Sequence, residues 1–151
     1  MNKMTVEKLT VAHLSEVAEL ETLCFADPWS EKALELLVGD GAYGAVCIEN
    51  GRVMAYGGVL WAPFEGQITN IATHPDARRC GMGAAILEHL IDFARSRACE
   101  MLSLEARVSN IPAISLYERY GFLKMGLRRG FYKHPTEDAY VMCLQLDGTK
   151  N

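Results

Sequence analysis

Ile71-Ala72-Thr73-His74-Pro75-Asp76-Ala77-Arg78-Arg79-Cys80-Gly81-Met82-Gly83-Ala84 is the stretch on which the reading of the fold turns. Strand-forming residues, about Gln67 to Thr73, lead into it. A helical pattern leaves it near Gly83, with Ile86, Leu87, Leu90, Phe93 and Ala94 on one face. A glycine-rich turn that opens a helix presents backbone N–H groups at the positive end of the helix dipole. Such a turn suits a pyrophosphate, and side chains at positions 81 and 83 would obstruct its approach. Arg78 or Arg79 adds positive charge. Taken alone, the same residues fit an ordinary tight turn with surface arginines. No Gly-Lys-Ser/Thr follows, so this is not a Walker loop, and the three glycines of a dinucleotide fingerprint are missing.

Working outward, Met4 to Leu9 alternates as a short strand. Thr10 then reads as the N-cap of a helix carrying Leu14, Val17, Leu20 and Leu23. Asp27-Pro28-Trp29-Ser30 breaks that helix, and Ser30 caps a second one through Leu37. Ala42 to Ile48 and Arg52 to Trp61 form a hairpin around Glu49-Asn50-Gly51, since Asn-Gly is a tight-turn signal. Downstream, Met101 to Ala106 is a strand, and Asn110 to Tyr120 a helix capped by Asn110 and stopped by Gly121. Phe122 to Phe131 and Ala139 to Leu146 close the chain as two antiparallel strands. The order β-α-α-β-β-β-α-β-α-β-β predicts an α/β (α+β) fold, a mixed, mostly antiparallel sheet of about seven strands with helices on both faces.

The chain has 151 residues with no repeat or linker, so residues 1–151 are expected to form one domain. Half the residues are hydrophobic and 23% charged, the balance of a globular protein. A net charge of −4 argues against a nucleic-acid partner, which calls for a basic face. No apolar run is long enough for a transmembrane helix, and the first ten residues lack the core of a signal peptide. A cytoplasmic protein without membrane partners is therefore expected. Five cysteines include no C-x-x-C pair, and Cys24, Cys47 and Cys143, among apolar neighbours, read as reduced, buried thiols. Four scattered histidines give no metal-ligand spacing, so no metal is expected.

The Arg-Arg-x-Gly-x-Gly-Ala pattern, after a strand ending in Ile-Ala-Thr-His-Pro, resembles the acetyl-CoA signature of the GNAT superfamily of N-acetyltransferases. The resemblance extends over nearly the whole chain. Pro28-Trp29-Ser30, Asn70-Ile71-Ala72, Leu104 through Asn110, Ala113 through Glu118, Tyr120-Gly121-Phe122, Arg128 through Tyr132 and Glu137-Asp138-Ala139 are similar to the ribosomal-protein-alanine N-acetyltransferase branch. The resemblance implies transfer of acetyl from acetyl-CoA to the α-amine of a protein N-terminus, here that of a small-subunit ribosomal protein.

Glu105 stands in an otherwise apolar strand, so it must face a cleft at a strand end or bear the cost of burial. A rim glutamate paired with Arg107 is the plain alternative; the resemblance implies the general base. Tyr117 shares a helical face with Ile114 and could be a core tyrosine; the resemblance makes it the acid that protonates the departing thiolate. Ile71, Ala72 and Thr73 are implied to offer backbone groups from a bulged strand to the acetyl-pantetheine arm. Arg79, Cys80, Gly81, Met82, Gly83 and Ala84 are implied to hold the cofactor's phosphates, and Asn110 to touch it besides capping its helix. Cys80 at a helix start invites a nucleophile's reading, but its place in the phosphate turn makes it incidental, and direct transfer in a ternary complex is expected. Trp29, Arg107 and Tyr132 are the acceptor-site candidates, with simple packing the plain alternative for Trp29 and Tyr132. Gly130 stands where the family pattern often has a bulky residue, a change that bears on the peptide pocket. Two rival readings share the fold: an acetyltransferase for small amines or lysine, and a non-catalytic acetyl-CoA-binding module. Retention of both Glu105 and Tyr117 counts against the second.

Overall fold

A computed structural model describes residues 4–78 and 80–146. The elements run β1 (Met4–Lys8), α1 (Leu14–Cys24), α2 (Glu31–Leu34), β2 (Ala42–Glu49), β3 (Arg52–Ala62), β4 (Glu65–Thr73), α3 (Met82–Ser96), β5 (Met101–Arg107), α4 (Ile111–Arg119), β6 (Leu123–Lys133) and β7 (Thr136–Gln145). This is the expected order. The strands form one seven-stranded sheet in the order β1-β2-β3-β4-β5-β7-β6. Every pairing is antiparallel except β4 with β5.

Short-range chemistry explains most element ends. Asn50 and Gly51, with φ of 52° and 80°, make the tight turn between β2 and β3. The Ser30 hydroxyl accepts the Ala33 N–H at 3.0 Å, but α2 stops at Leu34 and passes into a 3-10 turn over Glu35–Val38. The expected helix through Leu37 is thus one α-turn and one tighter turn. Thr10 likewise opens a 3-10 turn, Val11–His13, ahead of α1. The last hairpin differs from expectation at its tip. Tyr132 and Lys133 carry β6 past its expected end at Phe131 and β7 begins at Thr136 instead of Ala139, while Phe122 precedes the strand as a fully buried core residue.

Two cores flank the sheet. On one face α3 and α4 bury Ile86, Leu87, Leu90 and Ile114 against Leu102, Leu104 and Met142. On the other, Leu14, Val17 and Leu20 of α1 and Leu34 and Leu37 pack on Val46, Val53 and Tyr56. Each such aliphatic side chain contributes about 1.5–3 kcal/mol by leaving water. Leu23, expected on the buried face of α1, is 54% exposed, and Glu21 takes the buried position instead.

The sheet comes apart along one seam. The β4–β5 pairing covers only Glu65–Gln67 against Met101–Ser103. Just beyond it, β4 carries a register shift against β3, where Thr69 and Asn70 stand opposite Gly58 alone. A bulge bends its strand and ends regular pairing, so β4 and β5 diverge. Gly58 makes the bulge possible, for a Cβ there would sit 2.7 Å from Leu37 and 2.8 Å from the Thr69 hydroxyl. The opening between the two strands is the candidate site.

Candidate active site

A cavity of about 790 Å³ occupies that opening, a size suited to a small-molecule or chain-end ligand. It gathers Trp29, Ile71, Glu105, Arg107, Asn110, Tyr117 and Tyr132, which span more than a hundred residues of sequence.

Glu105 lies two residues past the last β4–β5 pair, on the face of β5 opposite buried Leu104 and Ala106. Its side chain is 13% exposed, and its carboxylate accepts a hydrogen bond from Gln67 Nε2 at 3.3 Å. Its cation is Arg128, with Nε at 3.5 Å. Arg107, the partner anticipated for a rim glutamate, is engaged elsewhere. Its Nη1 donates to Glu137 Oε1 and to the Pro135 carbonyl, both at 3.0 Å, and its guanidinium lies 4.3 Å from the centre of the Tyr132 ring. Hydrogen bonds from Ser109 and from Arg107 hold the Glu137 carboxyl below the usual carboxylate range. Arg107 therefore fixes the β6–β7 hairpin and, through it, the position of Tyr132.

Tyr117 reaches the cavity from α4, its ring tilted against Phe122 at 5.8 Å between centroids. Burial pushes its phenol up to about 12, and Tyr132 adds to the shift. A phenol so placed keeps its proton at any ordinary pH and can donate it. Asn110 Oδ1 accepts the Ala113 N–H at 3.3 Å, the expected cap, while the residue also lines the cavity.

The glycine turn, the expected phosphate site, stands at the start of α3 and does not line this cavity. Gly81 holds φ at +79°, a left-handed conformation that favours glycine. The helix closes its first bond from Ala85 N–H to the Gly81 carbonyl at 3.0 Å, so the amides of Met82, Gly83 and Ala84 precede it and point out of the helix end. The Met82 side chain is buried in the core, which leaves its backbone for a ligand; Cys80 is exposed. Arg79 lies outside the described residues. Arg78 Nε donates to the Thr73 carbonyl at 3.4 Å, as does the Cys24 thiol at the same distance. Of Ile71, Ala72 and Thr73, only Ile71 lines the cavity, and Ala72 buries its side chain toward α1. One polar atom at the bulge is orphaned: Thr69 Oγ1 is buried without a hydrogen-bond partner, beside the cavity. A helix end with outward amides, a glycine turn and an unpaired hydroxyl fit a phosphorylated, amide-bearing ligand such as acetyl-CoA.

Sequence reasoning missed Gln67, Arg128 and Glu137, whose roles depend on strand order. It also missed Asp27 and His134, which meet at 2.9 Å and both line the cavity. Glu21 is a different case. It is fully buried, and its signal was present: residue 21 falls on the 14-17-21 spacing of α1, where an acidic residue interrupts an apolar face.

The seven-stranded mixed sheet, split between its fourth and fifth strands, with a glycine turn opening the helix after the fourth, is the fold of a family of acetyl-CoA-dependent transferases. Residues 14–122 match the acetyltransferase (GNAT) family, and the chain belongs to it; the family uses acetyl-CoA. The chain is 37% identical over 146 residues to the [ribosomal protein bS18]-alanine N-acetyltransferase of Escherichia coli K12, covering 94% of this chain and 97% of that one. It is 33% identical to the N-alpha-acetyltransferase RimI of Mycobacterium tuberculosis, covering 92% and 90%. The crystal structure of the ribosomal-protein-S18-alanine N-acetyltransferase from Escherichia coli superposes with a TM-score of 0.89 at 36% identity, over 95% of this chain and 94% of that one.

Proposed function

We propose that this chain, acting as one domain over residues 1–151, acetylates the α-amine of a protein N-terminus, that of the small-subunit ribosomal protein bS18 first among its acceptors. The observation that carries the reading is the pairing of Glu105 and Tyr117 in one cleft, together with 37% identity to an enzyme of that specificity.

Bound acetyl-CoA supplies the thioester whose acetyl group is transferred. Outward amides at Met82, Gly83 and Ala84, with the turn residues Arg79, Cys80 and Gly81, suit its phosphates. Backbone groups of Ile71, Ala72 and Thr73, with Asn110, suit the pantetheine arm. An N-terminal amine has a pKa near 8, so a large share is protonated at neutral pH and must lose a proton to attack. Glu105 takes that proton, directly or through water. Tyr117 gives its own proton to the sulfur as the carbon–sulfur bond breaks, and the second proton, shed by the nitrogen as the amide forms, returns to the phenolate by way of water. Trp29 and Tyr132 form the walls between which the first residues of the acceptor lie, and Arg107 holds the second wall in place. Holding both partners in this geometry supplies much of the rate.

The test is a peptide beginning with alanine and carrying one internal lysine, assayed with its N-terminus free or blocked. A lysine of pKa near 10.4 costs about 3.3 kcal/mol more to deprotonate than an α-amine near 8.0. Acetylation should be confined to the free α-amine, located by mass spectrometry. Equal rates on the two peptides would overturn the N-terminal reading.

A further inference from the structure

Glu21 is the one fully buried charged side chain among the described residues. It receives hydrogen bonds from three separate parts of the chain. The Trp29 backbone N–H donates to Oε1 at 2.8 Å, Asn70 Nδ2 donates to Oε2 at 3.0 Å, and the Tyr56 hydroxyl donates to Oε2. All three donors are neutral. For stability alone, a buried charge is no better than a well-packed apolar side chain of similar size. A carboxylate does, however, have a capacity that no neutral side chain shares: it accepts several donors at once and donates to none. Glutamine in its place would set an NH₂ either against the Trp29 N–H or against Asn70 and Tyr56, which would have to turn round to accept.

The donors stand at informative places. Asn70 belongs to the bulge that opens the cleft, one residue before Ile71. Trp29 lies in the connection between α1 and α2, whose Phe25, Asp27 and Trp29 line the cavity. One turn further along α1, the Cys24 thiol donates to the Thr73 carbonyl, so the end of α1 is fixed to β4 at both ends of Asn70–Thr73. We infer that Glu21 is a positioning residue that sets the acceptor wall at Trp29 against the strand serving the acetyl donor. The inference rests on the acceptor reading above. Of the parts Glu21 joins, β4 is held by its ladder to β3, whereas the 25–30 connection is in neither helix nor strand. Loss of the carboxylate therefore displaces the acceptor wall and spares the donor side.

The experiment compares Glu21→Gln, Glu21→Met and Tyr56→Phe by steady-state kinetics on an alanine-initiated peptide. Glu21→Gln should raise the peptide KM about tenfold, the equivalent of one charge-assisted hydrogen bond, with the acetyl-CoA KM within about twofold. Glu21→Met, which keeps the core filled should the Gln variant not fold, should do the same. Tyr56→Phe removes one donor but leaves Trp29 and Asn70 attached; it should lower the melting temperature and hold the peptide KM within about twofold. A second readout needs no acceptor: in a Trp61→Phe background, Trp29 emission should shift to the red in both Glu21 variants and not in Tyr56→Phe. Turnover falling only in proportion to the folded fraction, with peptide KM and emission unchanged, would show a structural role alone and overturn the inference. If the parent enzyme acetylates no peptide, the acceptor reading falls by itself and the emission arm decides: an unshifted Trp29 overturns the role of Glu21, a shifted one upholds it.

Discussion

Glu105 and Arg128 face each other at 3.5 Å although β7 separates their strands. The pairing follows from register, since Glu105 stands beside Val141 and Arg128 beside Ala139 on the same side of the sheet. Arg128 is 58% exposed, so its field on the carboxylate is weakened by water.

Glu105→Gln should accordingly lower turnover by about 10²–10⁴-fold, the usual worth of a general base, and leave acetyl-CoA binding intact. The loss should be greatest at mildly acidic pH, where the amine is protonated. Arg128→Ala should cost no more than about fivefold, as befits a half-exposed ion pair. Initial rates between pH 6 and 9, with calorimetric acetyl-CoA titrations, check both; undiminished turnover in Glu105→Gln across about that range removes the base.

Tyr117→Phe should slow transfer without loss of fold. The sign of its pH dependence is fixed by the direction of the shift. With the phenol pushed up to about 12, the acid form persists well past the ordinary tyrosine value of 10.0. Transfer by the parent enzyme should then show no falling limb near pH 10 from this group. A drop there that vanishes in Tyr117→Phe would mean an unshifted tyrosine and would contradict the burial that raises it.

The glycine turn before α3 separates two glycines by cause. At Gly83 an added Cβ would meet Thr73 Oγ1 at 3.6 Å and Leu116 at 3.8 Å, ordinary contact, so Gly83→Ala should fold normally. If acetyl-CoA phosphates lie against this turn, the alanine variant should still bind them more weakly, and Gly83→Val more weakly again. Gly81 has open space but φ of +79°, so Gly81→Ala should cost about 1–2 kcal/mol of stability. Calorimetry for affinity and thermal melts for stability distinguish the two. Full affinity in Gly83→Val would take the turn out of the site.

Much of this was legible because it is local. The Asn50-Gly51 turn, the Asn110 cap and the periodicity of α3 each depend on neighbours in sequence, and each appears where expected. Leu23 and Glu21 mark the limit of periodicity. Spacings of three and four both fit α1, and the choice between residues 20, 21 and 23 is made by Tyr56 and Asn70 from other strands. The extent of the final hairpin escaped for a similar reason. Lys133 and Thr136 are paired strand residues because Arg107, far back in β5, holds the connection between them. Arg128 beside Glu105 needed the order β5-β7-β6, which adjacency in sequence does not supply.

The last prediction concerns that hairpin. Arg107 donates to Glu137 and to the carbonyls of His134 and Pro135, and lies over Tyr132. Lysine keeps the charge but not the planar fork or the stacking surface. Arg107→Lys should therefore raise the peptide KM by about tenfold while leaving acetyl-CoA affinity unchanged, because the hairpin borders the cavity on the side proposed for the acceptor and the glycine turn before α3 lies elsewhere. The pH response follows from Glu137. Its carboxyl is held below 4.5 by hydrogen bonds from Ser109 and Arg107, so the contact is complete above the unfolded value and is lost only as pH falls through the lower, folded one. Over the neutral range the peptide KM of the parent enzyme should thus owe no change to this pair, and Glu137→Gln should mimic Arg107→Lys at every pH. The check is the peptide KM of all three proteins from about pH 5 to 8. A Glu137→Gln variant with the parent KM would free Arg107 from this role and return it to direct contact with the acceptor.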